Sequence, residues 1–99
     1  MIIFSNITAL GANVASGAAS ASIALPVASS GEIPRYIRVV ASVNAHIRIG
    51  TAAIAATATD TFLGAGIPEY LMIPRGITHI AAIQDAAVGV VNIAPLEDC

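Results

Sequence analysis

The chain has 99 residues, of which 57% are hydrophobic and only 10% charged, with a formal net charge of −2 and a mean hydropathy of +0.84. That length supports one hydrophobic core and not two. The charged fraction falls far below the about 25% usual for soluble domains, so much of the exterior is expected to lie against other subunits. Four arginines without a lysine, and no Trp, exclude the basic stripe and stacking platforms of a nucleic-acid binder. Apolar runs broken every few residues by Ser, Thr, Asn, Gly, Pro or Arg exclude a helical membrane span, which needs about 18 consecutive apolar residues. A single Cys99 leaves no internal disulfide.

Residues 2–10 read as a short strand or extended arm. No Lys or Arg precedes Arg35, and Ser5, Asn6 and Thr8 interrupt the apolar run, so a secretory signal is not expected. Residues 11–22 are rich in Ala, Ser and Gly, with no large side chain to anchor a helix. We therefore read 1–20 as an N-terminal arm or extended segment and 21–99 as a single domain. Residues 21–28 form a strand candidate with Ile23, Leu25 and Val27 on one face. Pro26, lacking an N–H, marks it as an edge or bulged strand. A turn at Ser29-Ser30-Gly31-Glu32 follows, and Pro34 keeps Ile33 extended.

Residues 35–50 carry three of the four arginines and predict a hairpin folded around Asn44-Ala45. Arg38 and Arg48 would then project from one sheet face, with His46 beside Arg48. The threonines of residues 51–61 favour a further strand, and Phe62-Leu63 is an isolated apolar pair before the turn Gly64-Ala65-Gly66. Residues 69–73 make another short strand before the tight turn Pro74-Arg75-Gly76. Residues 77–84 and 87–94 are the last two strands, Pro95 ending the second and residues 97–99 forming a tail. Short strands separated by frequent turn signals predict an all-β fold, a small antiparallel β-sandwich or jelly-roll-like barrel with an extended N-terminal arm.

An internal repeat supports this. Ile33-Pro34-Arg35 recurs as Ile73-Pro74-Arg75, and at the same offset Ile37 aligns with Ile77, Val40 with Ile80, Ala41 with Ala81 and Val43 with Ile83.

No set of residues forms a catalytic or metal-binding pattern. His46 lacks a second ligand two residues away, and the acid nearest His79 in the sequence is Asp85; each histidine reads as a surface or interface residue. Gly64-Ala65-Gly66-Ile67-Pro68-Glu69 lacks the last glycine of a dinucleotide fingerprint, and Pro68 forbids the helix that would follow. Asp60, Glu69 and Asp85 are scattered, and the serines stand in turn or low-complexity sequence. Neither an enzyme nor a cofactor is expected. The arginines are read either as solvated residues or as partners for carboxylates on a neighbouring subunit.

At Arg35-Tyr-Ile-Arg-Val-Val-Ala, His46-Ile-Arg-Ile-Gly-Thr, Ala58-Thr-Asp-Thr-Phe-Leu and His79-Ile-Ala-Ala-Ile, the chain resembles small structural proteins of tailed bacteriophages, over residues 20–97. The resemblance implies a virion component, foremost a capsid cement or decoration protein. Such a subunit would sit on the outer capsid surface, bridge major capsid proteins and stabilise the expanded head, after assembly in the host cytoplasm. Its partners would be the major capsid protein and copies of itself as a dimer or trimer, with no nucleic acid and no membrane. Ile2, Ile3, Phe4, Arg35, Arg38, His46 and Arg48 are the candidate inter-subunit contacts. The alternatives are a tail, baseplate or head-fibre subunit and a carbohydrate-binding module, the latter disfavoured by the scarcity of aromatic residues.

Overall fold

Alternating aliphatic and polar side chains produce nine strands and, among the described residues, no helix: β1 (Ser5–Asn6), β2 (Ala12–Ser16), β3 (Ala21–Ala24), β4 (Tyr36–Ala41), β5 (Ala45–Gly50), β6 (Thr61–Leu63), β7 (Glu69–Met72), β8 (His79–Gln84) and β9 (Gly89–Asp98). The computed structural model describes the backbone of residues 5–6 and 10–98 and the side chains of residues 10–96. The arm contacts assigned to Ile2, Ile3 and Phe4 lie outside the described residues.

Two antiparallel sheets hold these strands. The first has the order β2-β9-β4-β7, with β1 pairing the far end of β9, and the second has the order β3-β8-β5-β6. Strand β2 pairs with β9, β3 with β8, β4 with β7 and β5 with β6. This is one long antiparallel hairpin rolled up until its two arms share both sheets, which is a jelly roll. Only the β5–β6 connection stays within a sheet; every other link from β2 to β9 crosses between them.

Residues 35–50 are therefore not a hairpin. Strand β4 lies in the first sheet and β5 in the second, joined by Ser42, Val43 and Asn44. Ile37, Val39 and Ala41 in one arm, and Ala45 and Ile47 in the other, all belong to the core. In a flat hairpin these apolar rows would share one uncovered face, whereas an arch turns them towards each other across the sandwich. The polar residues of the link bond to strand β9 and to the loop after β6 instead of closing a turn. Ser42 N–H donates to the Val90 carbonyl, Val90 N–H to Ser42 Oγ and Ala65 N–H to Asn44 Oδ1, each at 2.9 Å.

The internal repeat acquires a structural meaning from this. Each copy of Ile-Pro-Arg leads into a strand, a crossing and a second strand. The two units pair with each other, β4 with β9 and β5 with β8. The motifs themselves meet side by side, with Ile73 N–H donating to the Arg35 carbonyl at 2.7 Å.

Ile37, Val39, Val91 and Ile93 from the first sheet pack against Ile47, Leu63 and Ile80 from the second, all nearly or wholly inaccessible. Each such aliphatic side chain contributes about 1.5–3 kcal/mol on burial. As expected, β3 is an edge strand that ends before Pro26.

Strand β9, in contrast, runs through Pro95 to Asp98. Pro95 falls between the stretch paired with β2, ending at Ile93, and the pair with β1, starting at Glu97. On that flank neither strand requires its missing N–H. The expected tail at Glu97-Asp98 is thus part of the longest strand.

Residues 51–60 do not form the expected strand. Their small side chains offer no alternating apolar row to bury, and they close two turns, Ile54 N–H to the Thr51 carbonyl and Asp60 N–H to the Thr57 carbonyl, both at 3.0 Å. The β-structure begins only at Thr61, so Phe62-Leu63 belongs to β6.

Candidate interaction face and the histidine clasp

The two outer sheet faces differ in how far the chain covers them. On the second sheet, residues 51–60 form a strap over the outward-facing positions of β5 and β8. Gly50 has no side chain, and its Cβ position would lie 2.7 Å from Ile54 Cδ1, so Ile54 packs directly on the backbone there. Ser20 Oγ accepts the Ala56 N–H at 2.8 Å. Outward-facing Ala81 is wholly buried.

His46 fastens the end of this strap. Its Nδ1 lies 3.0 Å from the Asp60 carbonyl oxygen and its Nε2 lies 2.9 Å from Asp85 Oδ1. Both partners are acceptors, so only the doubly protonated imidazolium donates to both. The hydrogen bond to Asp85, then that to the Asp60 carbonyl, holds the His46 pKa above its ordinary 6.5, against the opposing effect of burial. The Phe62 ring meets the imidazole edge-on, with centroids 5.6 Å apart. Arg48 Nε stands 3.7 Å from Asp60 Oδ1, while Thr57 N–H donates to Asp60 Oδ2 at 2.7 Å.

With both nitrogens occupied, the ring has no position left from which to accept a proton from a substrate. Among the described residues no group of three His, Cys, Asp or Glu side chains is arranged to hold a metal ion. The cluster is a clasp that joins the strap, β5 and the β8–β9 turn.

The outer face of the first sheet is covered only in part: Ala94 and Leu96 on β9 are buried there, and the remainder is open. Ile37, Val39 and Ala41 face inward, so Tyr36, Arg38 and Val40 face outward. In register beside them are Met72 and Tyr70 on β7, and Leu96, Ala94 and Asn92 on β9. Tyr70, Met72 and Val90 remain 59%, 65% and 43% exposed. The neighbouring Asn92 and Asn13 bond to each other, Nδ2 to Oδ1 at 2.9 Å. Arg38 Nε is buried without a hydrogen-bond partner.

The expected contact residues are thus divided between surfaces. Arg38 and Arg48 do not share a face: Arg38 lies on the open face of the first sheet and Arg48 beside the strap on the second. His46 is buried in the clasp and is not a surface residue, and its acid is Asp85, the residue expected near His79. His79 Nδ1 instead pairs with Thr78 Oγ1 at 2.7 Å. Arg35 is exposed and, with Arg75, lines a cleft of about 570 Å³ between the two Ile-Pro-Arg copies. A second cleft of about 270 Å³ opens between the sheets at the short strand β6, lined by Ile47, Ile49, Thr61 and Leu71.

Sequence reasoning missed Asp60 and Asp85 as partners of His46, and Tyr70, Met72 and Val90 as an exposed set beside the half-buried Tyr36. The period-two geometry of a strand was the only signal for the latter, and period two does not say which face will be covered. No helix of the described residues is long and apolar enough to cross a membrane. No protein-family model matches the chain, and comparisons with curated proteins and with solved structures found no match.

Proposed function

We propose that this protein is a non-enzymatic structural subunit of a phage virion, a capsid cement or decoration protein that docks on the head through the open face of the β2-β9-β4-β7 sheet. The observation that carries the reading is the asymmetry of the two sheets. Residues 51–60 cover much of one outer face, while the other, buried at Ala94 and Leu96, is left open at Tyr70, Met72 and Val90. Exposed aromatic and Met side chains with few charges are the composition of interface cores.

The resemblance at residues 20–97 supports a virion, and the jelly roll is a fold widely used in viral capsids. In this reading the mechanism is repetition. Each subunit bridges neighbouring capsid proteins, and many copies acting together stabilise the shell by avidity. The test is addition of the purified protein to heads that lack it, followed by cryo-electron microscopy. Density for the jelly roll at joints on the outer head surface is expected, and failure to bind heads, or density confined to the tail or baseplate, overturns the assignment.

A further inference from the structure

We infer that Arg38 is the anchor of the open sheet face and that the partner docking there is a different polypeptide presenting an Asp or Glu carboxylate within an apolar surround. This rests on the docking role proposed above for the same face and specifies the chemistry of what it meets.

Arg38 is the only charged side chain among the described outward-facing strand residues of the first sheet. Its neighbours in register are Tyr70 and Ala94, and Tyr36 and Val40 flank it along β4. Its Nε is withdrawn from solvent with no acceptor, and no ion pair to it forms among the described residues. The other charged clusters show the contrast: Arg48 has Asp60, and His46 has Asp85.

An unpaired guanidinium nitrogen in an apolar surface is costly until an acceptor reaches it. The planar fork of Arg fits a carboxylate through two parallel hydrogen bonds. A two-fold pairing of this face with itself would not supply one. Such an interface repeats the same patch on both sides, and none of the described outward-facing strand residues of that patch is an acid. The face therefore selects a different surface, one that carries the complementary charge.

The experiment measures binding of the purified protein to heads depleted of it, comparing wild type with Arg38→Glu, Arg38→Met and Arg38→Lys, while thermal unfolding checks that each variant folds. Arg38→Met keeps the apolar stem and serves if Arg38→Glu fails to fold. Loss of one partner of a buried charge pair predicts binding at least about 30-fold weaker for Arg38→Glu and Arg38→Met. Partial retention is expected for Arg38→Lys, which keeps the charge and loses the fork. If wild type binds heads and the folded Glu and Met variants bind equally well, the inference is overturned while the docking role stands. If wild type does not bind heads, the docking role itself falls and the inference with it. Light scattering supplies the remaining outcome: a wild-type oligomer that Arg38→Glu dissociates would make the partner a second copy and overturn the inference.

Discussion

His46 Nε2 lies 2.9 Å from Asp85 Oδ1 while Nδ1 of the same ring lies 3.0 Å from the Asp60 carbonyl oxygen. One imidazole thus ties the strap, through Asp60, to the turn that starts at Asp85. The two attachment points are 14 and 39 residues away from it in the chain.

Stability should fall as pH rises through neutrality. The folded-state pKa of His46 is raised above 6.5, so its contribution is fully present below that value and is lost as pH rises through the folded pKa. Urea unfolding of wild type and His46→Gln should differ by about 1 kcal/mol at pH 6, a hydrogen-bonded charge pair discounted for the partly exposed Asp85. The difference should shrink at pH 9. An equal difference at both pH values would show that the imidazolium form is not what holds the clasp.

Gly50→Val should lift the strap without unfolding the sandwich. The new Cβ would stand 2.7 Å from Ile54 Cδ1 and 3.0 Å from its Cγ1, so the strap must move outward. Amide exchange at Ala56, whose N–H is held by Ser20, should accelerate at least about tenfold, while the exchange of Ile80 and Ile93 stays slow. Unchanged exchange at Ala56 would place the cover elsewhere.

Ser16 and its register partner Gly89 should respond in opposite directions. Ser16 is wholly buried and its Oγ has no hydrogen-bond partner, so Ser16→Ala should stabilise by about 1 kcal/mol by removing an unsatisfied polar group. A methyl group on Gly89 would overlap Val43 Cγ2 and come within 2.7 Å of Ser42 Oγ. Gly89→Ala should therefore destabilise by about 1–3 kcal/mol. Thermal melts of the two variants decide both signs.

Ile93→Ala, at the centre of the first sheet, should cost about 2–5 kcal/mol. Ile93 is wholly buried and pairs with Val39 on one side and Ala12 on the other. A loss below about 1 kcal/mol in urea unfolding would mean that the sheets do not close over this position.

Much of the fold is legible in the residues themselves. Alternation in residues 45–50 and the short apolar runs of residues 36–41 and 79–84 between turn signals mark strands, and Pro34, Pro68 and Pro74 mark where strands cannot continue. Gly76 has a φ of 89°, and Ile77 N–H donates to the Pro74 carbonyl, so the turn foreseen at Pro74-Arg75-Gly76 requires its glycine. The contact residues were less legible. Arg38 and Arg48 look equivalent along the chain, and only the sheet assignment of β4 and β5 separates them. Asp60 and Asp85 carry no local sign that they meet at His46.

The sequence by itself determined an all-β domain, its strand-forming stretches and its turns, because these follow from side-chain period and backbone stereochemistry within a few residues. Which strands share a sheet, which face the strap covers and which arginine holds a buried nitrogen without a partner were decided only by the tertiary structure. Those outcomes depend on pairing between segments far apart in the chain, such as β2 with β9, and period-two alternation is the same whether an arm folds flat beside its neighbour or arches over to the opposite sheet.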